Sequence, residues 1–234
     1  MAERPVYIPK ETGFPFVTIK NIMFDWFAGF SVSQKQKSIK SLHSSIERNL
    51  GISKTLEISS KSLQSLGNSL SSFNLKICTV KKRKIFSVEC AYQASKVFEF
   101  GGPYLDILDR TSREAKTDLR LKSSGKLIGF RFYNVDWELE PKTAFYDWLY
   151  LNALKKNLEL TESMADYSAF TDIEFNPVKS ISCQARSAAL YISLKERSLL
   201  DEALLSKDNF LYILKHSCSD EDSNAYKQQD FSYR

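Results

Sequence analysis

Within "SVECAYQASKVFEFGG" (87–102), Glu89, Tyr92, Gln93 and Lys96 fall at i, i+3, i+4 and i+7. On a helix these four share one face. Cys90, Ala91, Ala94, Val97 and Phe98 take the opposite face, whose small residues would let the helix approach a neighbour closely. A carboxylate and an amine two turns apart stand about 10 Å from each other, too far to pair directly. Tyr92 and Gln93 between them make a hydrogen-bonding platform unlike the Lys/Glu mixture of an ordinary exposed face. Burial of the row would raise Glu89 and lower Lys96, the condition for acid–base or Schiff-base work. A solvated surface accounts for the same pattern, and on pattern alone it is the slightly favoured reading.

A second group of chemistry-bearing residues lies in "FTDIEFNP" (170–177). Read as a strand, it places Asp172 and Glu174 on the same side, about 7 Å apart. Two such carboxylates suit acid and base roles or the binding of sugar hydroxyls; a merely polar strand face explains them equally well. Trp137, beside Asp136 in "NVDWELEP", offers a stacking surface for a base, although most tryptophans are packing residues. In "LSSFNL" (70–75), Ser72, Phe73 and Asn74 form a turn within reach of a ligand. Arg113 sits in the first turn of its helix, where the macrodipole favours acids, which points mildly to an anion.

The elements that must position these groups follow from periodicity and punctuation. "PVYI" and "FVTIKNIMF" read as strands, and "SVSQKQKSIKSLHSSIERNLG" as a helix opened by Ser31 and stopped by Gly51. "KTLEISS" is a further strand, and "LGNSLSSFNLKICTV" a turn leading into another. From residue 87 helices are expected to dominate: the opening stretch itself, then "TSREAKTDLRLK" with a Thr111–Glu114 capping box. "KTAFYDWLYLNALKKN", "KSISCQARSAALYISLKE" and "LLDEALLSKDNFLYILKH" follow. The expectation is one α+β domain over 1–216, mostly helical. A β-rich subregion (1–80) precedes a helical part (87–216), and a polar tail (217–234) follows.

With 234 residues, 43% of them hydrophobic, the chain can bury a substantial core. Cys78, Cys90, Cys183 and Cys218 show no CxxC pairing, and His43 and His216 are the only histidines. That spacing supports neither a zinc site nor a disulfide framework, so no metal and no cofactor are expected. Carboxylates and lysines are then the agents of any catalysis. No Walker or GxGxxG loop is present, which argues against a nucleotide-hydrolysing or dinucleotide-binding engine. No run reaches membrane-spanning length and the start lacks a signal-peptide core, so a cytoplasmic protein without membrane contact is expected. The net charge of +5 permits nucleic acid without demanding it; "SQKQKSIK" (33–40) and "KKRK" (81–84) are its basic runs.

Taken in order, "SQKQKSI", "LEISSKS", "SVECAYQASKVFEFGGPY", "SREAKTDLRLKSSG", "LEPKTAFYDWLY" and "FTDIEFNPVKSISCQARSAAL" resemble the NADAR superfamily. They are closest to the antitoxins that accompany DarT-type DNA ADP-ribosyltransferase toxins. The resemblance implies a glycohydrolase that removes ADP-ribose from guanine bases in DNA, with ADP-ribosylated DNA as substrate, ADP-ribose as product and the cognate toxin as functional partner. It carries the Glu and Lys of the ExxYQxxK signature onto Glu89 and Lys96, a Trp onto Trp137 and a late Asp onto Asp172. The chain departs from the general pattern at Ser71-Ser72-Phe73-Asn74, where Ser-Asn-Phe is usual. It departs again after Asp172, where Ile-Glu-Phe-Asn replaces the frequent Trp-Gly and brings Glu174 forward as partner or substitute.

The roles then expected are Lys96 as nucleophile, Glu89 as proton shuttle, and Asp172 or Glu174 on the ribose. Trp137, Tyr92, Gln93, Phe73 and Asn74 would line the substrate, and Arg113 would meet pyrophosphate or the DNA backbone. Direct attack by water activated by Glu89 or Asp172 is the rival route. Two other functions stay open: an antitoxin acting by direct contact with its toxin, and an N-glycosidase on a small phosphorylated metabolite.

Overall fold

The computed structural model describes residues 1–79, 84–177 and 180–216. In chain order it begins β1 (Ala2–Pro9), β2 (Val17–Phe24), α1 (Val32–Leu50), β3 (Thr55–Glu57), α2 (Ser65–Ser69), β4 (Lys76–Cys78) and β5 (Ile85–Ser87). Next come α3 (Val88–Ala94), β6 (Lys96–Phe98), a 3-10 turn (Leu105–Asp109), α4 (Ser112–Thr117), α5 (Arg120–Ser123), β7 (Leu127–Phe132) and β8 (Val135–Trp137). The chain closes with α6 (Ala144–Lys155), α7 (Leu158–Met164), β9 (Ala169–Thr171), α8 (Gln184–Glu196), α9 (Leu200–Ala203) and α10 (Lys207–His216).

The first helix keeps its predicted limits. The Ser31 hydroxyl accepts the Gln34 N–H, and Gly51 ends the helix at φ 69, a left-handed conformation that costs glycine nothing. Its inward stripe, Ile39, Leu42 and Ile46, is buried against Val6, Ile22 and Phe24 of the β1–β2 hairpin. A separate and larger core surrounds α6 and α8 and takes in α3, β7 and the inner ends of the first sheet.

One expectation, that the domain is mostly helical, is corrected. The fold is α+β in one domain, but among the described residues helices cover fewer than half the chain, and three small sheets share the work. Nor is the first sheet purely N-terminal. Its order is β2-β1-β9-β3, so β9, from late in the chain, pairs antiparallel to β1 and parallel to β3.

The helix expected through Lys96 also stops early. The Ser95 hydroxyl bonds back to the Ala91 carbonyl at 2.7 Å. Lys96–Phe98 then pair with β7, with Lys96 opposite Phe130 and Val97 opposite Gly129. The ladder satisfies backbone groups that further helix would otherwise hold, and it overrides the helical periodicity of the side chains. In "FTDIEFNP" the strand likewise ends at Thr171, and Asp172 opens a turn in which its Oδ1 accepts the Glu174 and Phe175 N–H groups. The capping box at Thr111–Glu114 forms as expected, but its helix breaks at Asp118 and restarts as α5. Lys81, Lys82 and Arg83 of the basic run, Cys218 and the tail 217–234 lie outside the described residues.

Candidate active site

α3 is short, and its entry is fixed by hydroxyls. Ser87 accepts the Cys90 N–H and donates to Ser112, which donates to the Phe73 carbonyl. The Glu89 N–H meets the Ser72 carbonyl at 2.9 Å, joining the first turn of α3 to the "SSFN" turn. This brings the Glu89 carboxylate, only 5% exposed, against the Ser72 hydroxyl at 3.1 Å and the Gln93 amide nitrogen at 2.8 Å. A buried carboxylate needs such donors, because desolvation without them costs several kcal/mol. The other end of the Gln93 amide, Oε1, is buried and has no hydrogen-bond partner among the described residues.

Lys96 has left the helix, yet its side chain returns to it. Nζ lies 5.0 Å from the centroid of the Tyr92 ring. Burial lowers the Lys96 ammonium pKa, the Glu89 carboxylate acts to raise it, and the Lys116 cation lowers it again; the net direction is down. Lys116 itself stands over the Phe73 ring at 5.2 Å. Tyr92 is held by a stacked Phe130 at 5.4 Å and an edge-on Tyr146 at 5.1 Å, so the ring beneath the amine is fixed.

The second carboxylate sits at the end of β9. Burial, and then the neighbouring Glu57, push the Asp172 carboxyl up to about 8, against the hydrogen bonds it accepts from Glu174, Gln184 and Phe175. Glu57 was not anticipated from the sequence. Its Oε2 accepts the Thr171 hydroxyl at 2.7 Å and its Oε1 accepts the Ile173 N–H at 2.8 Å, so it holds the residues on both sides of Asp172. Burial raises the Glu57 pKa as well. Behind it, His43 Nε2 lies 3.0 Å from the Thr171 hydroxyl. Burial holds His43 down at about 4, so the ring is neutral. Because Thr171 donates to Glu57, it accepts from His43, which fixes the Nε2–H tautomer.

Gln184, the first residue of α8, joins the two halves. Its Oε1 accepts the Ser72 N–H at 2.7 Å and its Nε2 donates to the Ile58 carbonyl at 2.7 Å, while its side chain lies at the Asp172 carboxyl. A hydrogen-bonded chain thus runs from Glu89 through Ser72 and Gln184 to Asp172, and Lys96 is coupled to its Glu89 end electrostatically. Beside it, Asp147, 1% exposed, is paired with Arg186 and accepts the Ser187 hydroxyl. The signal for Glu57 was a lone acid between Leu56 and Ile58 in an apolar strand, and for Ser72 its place in "LSSFNL". Gln184 gave none that stands out from an ordinary helix start.

The remaining predicted residues are placed as follows. Trp137 is 3% exposed and wedged between Phe145 and Trp148, with centroids at 5.6 and 5.2 Å. It packs within the aromatic core and does not present a free stacking face, because β8 turns it inward. Asn74 is tied to Asn68 and Arg113 is exposed on α4. Glu174 points away to Lys35, at 3.0 Å. A groove of about 470 Å³ lies along α3 between Phe73, Cys90, Arg110 and Thr111; Glu89, Lys96 and Asp172 do not line it. Among the described residues no three His, Cys, Asp or Glu side chains gather as a metal site would require, and no helix is long and apolar enough to cross a membrane.

Residues 2–224 match the family model of the DarT1-associated NADAR antitoxin. No curated protein matches the chain. The match spans nearly the whole sequence, and the chain belongs to that family.

Proposed function

As a member of the DarT1-associated NADAR antitoxin family, this chain is, we propose, an N-glycosidase that removes ADP-ribose from guanine bases in DNA. The observation that carries the reading is the Lys96 amine, drawn out of water beside Glu89, with its pKa lowered by burial. A lysine poised towards its neutral form is a nucleophile for an aminal carbon.

The chemistry runs in balanced steps. The ribose C1″–O4″ bond opens, O4″ takes a proton, and the anomeric carbon becomes an imine with the guanine exocyclic nitrogen. Lys96 Nζ adds to that carbon and its proton passes to the guanine nitrogen. The C1″–N bond then breaks, releasing guanine with its amino group intact and leaving a Schiff base on Lys96. Water adds to C1″, the C1″–Nζ bond breaks, and the open-chain sugar recloses as ADP-ribose. Glu89 carries protons to the leaving nitrogen and from water. Asp172, with its raised pKa, is suited to a ribose hydroxyl as a neutral donor. Gln93 Oε1, buried and unpartnered, is an acceptor free for an N–H of the base.

The test is incubation with an oligonucleotide carrying ADP-ribosylated guanine, following free ADP-ribose. Release that Lys96→Ala abolishes supports the reading. Release unaffected by Lys96→Ala removes Lys96 as catalyst, and no release from wild type removes the activity itself.

A further inference from the structure

The loop before α1, "DWFAGFS" (25–31), places aromatic rings in water. Phe30 is 101% exposed and Phe27 39%, while Trp26 is partly covered by an edge contact with Phe24. Exposed rings on a frayed loop would carry little meaning, and isolated surface hydrophobics are ordinary. This loop is pinned. The Asp25 N–H bonds to the Ser41 hydroxyl at 3.1 Å and the Phe27 N–H to the Ser38 hydroxyl at 3.0 Å, both on α1. Gly29, at φ 132, makes the turn and lies so close to Gln34 that a Cβ there would meet its Cγ at 3.2 Å. The rings are therefore held out by a built structure.

Two cations stand against the ring next to them, Trp26. Lys35 Nζ stands 4.7 Å from the centroid of the Trp26 ring and the Arg4 guanidinium 5.3 Å from it. Lys37, exposed, lies three residues after Gln34 and four before Ser41, hence on the stripe of α1 that faces the loop. Asp25 is a nearby exposed acid, and Glu174 is paired with Lys35. That pair joins the patch to the active site, since Glu174 is two residues from Asp172.

We infer that the 25–31 loop and the start of α1 form a stacking platform for single-stranded DNA, with Phe27 and Phe30 taking bases and Arg4, Lys35 and Lys37 facing phosphates. Flat rings interleaved with cations match a strand whose bases are unstacked, whereas a duplex hides its base faces. The choice of DNA rests on the function proposed above. A patch for a folded protein partner would not need its cations set directly over a ring.

The platform is tested with the full chain and unmodified, fluorescently labelled oligonucleotides, by anisotropy, so the outcome does not depend on glycosidase activity. Single strand is expected to bind more tightly than the blunt duplex of the same sequence. The double variant Phe27→Ala/Phe30→Ala is expected to weaken single-strand binding at least about fivefold. Lys37→Ala should reduce the slope of log K against log salt by about 0.7. Thermal denaturation and ADP-ribose release from an ADP-ribosylated guanosine nucleoside should stay at wild-type values in these variants. Equal binding of single strand and duplex overturns the inference, as does a double variant that binds single strand as wild type does. Loss of binding to a DarT1-type toxin with DNA binding intact also overturns it, in favour of a protein partner. If wild type releases no ADP-ribose from modified oligonucleotide, the glycosidase reading fails while the platform test stands.

Discussion

The amine of Lys96 lies over the ring of Tyr92 at 5.0 Å, although the backbone between them has passed from helix α3 into strand β6. The ring favours the charged form of the amine, worth about 0.5–2 kcal/mol, while burial favours the neutral form. Among burial, Glu89 and Lys116, burial is the largest influence and the net direction is down, which is what the proposed nucleophilic role asks of this amine.

Borohydride added during turnover should trap a covalent adduct of ADP-ribose on Lys96. Peptide mass spectrometry would locate it. Lys96→Arg, which keeps the charge but cannot supply a neutral nitrogen, should trap nothing and release nothing. Turnover by Lys96→Arg at the wild-type rate would sink the covalent route and leave attack by water.

The pH dependence should follow the lysine. Activity should rise with pH through the lowered Lys96 pKa, as the free amine appears. The Lys116 cation contributes to that lowering, so Lys116→Ala should move the inflection of kcat/KM to higher pH. Glu89 acts in the opposite sense, and Glu89→Gln should move it lower while cutting kcat roughly 10²- to 10⁴-fold through loss of proton transfer. An inflection that stays put in Lys116→Ala would detach it from Lys96.

Asp172 should make the fold weaker as pH rises. Its folded pKa, about 8, lies above the ordinary carboxyl value of 3.8, so the native state binds the extra proton between them. Its stabilising share is complete below the unfolded pKa and is lost as pH rises through about 8. Asp172→Asn keeps a carbonyl oxygen for the Glu174 and Phe175 N–H groups and removes the charge. Its melting temperature, read by calorimetry, should gain on wild type as pH rises from about 5 to about 8 and level off above that. A constant difference would place the titration elsewhere.

Glu57 should be needed for position rather than contact with substrate. Glu57→Ala orphans the Thr171 hydroxyl and the Ile173 N–H, at about 1–3 kcal/mol for each buried donor left unmade. Glu57→Gln retains an acceptor and should fold. Because the Glu57 charge helps hold Asp172 up, this variant should shift the Asp172 inflection to lower pH, seen by NMR titration. A purely structural Glu57 would leave that inflection unmoved.

Arg186→Ala should be among the more damaging single changes. It strands the buried Asp147 carboxylate, leaving on it, among the described residues, the Ser187 hydroxyl. Breaking such a pair costs about 3–5 kcal/mol, measurable by urea denaturation. Asp147→Asn/Arg186→Met should recover much of the loss if the penalty is the unpaired charge.

What the sequence conveyed best was local. Ser31 and Gly51 bounded α1, and Thr111 with Glu114 announced a helix start, because caps act within a few residues. Glu89, Tyr92, Gln93 and Lys96 were picked out together, and the structure brings Glu89, Tyr92 and Lys96 to one place, by a different backbone route. The exit of Lys96 into β6 depends on β7, more than thirty positions downstream, and no window of helical periodicity contains that partner. Glu57 showed only as a lone acid in an apolar strand, and its role was hidden for the same reason: its acceptors are filled by Thr171 and Ile173, which reach it only through the β3–β9 pairing. Trp137 was ambiguous in kind, since a tryptophan in a strand reads alike as a ligand shelf and as core.

The insertion of β9 between β1 and β3 also sets an order of events during synthesis. Until residues 169–171 leave the ribosome, β1 and β3 each present an unfilled edge towards the gap, and Asp172 does not yet exist to be positioned. The two ends of the hydrogen-bonded chain from Glu89 to Asp172 meet only when that late strand is threaded home. A chain truncated anywhere before it is not a weaker version of the protein but an unfinished sheet with an adhesive slot, fit for a protease or an aggregate.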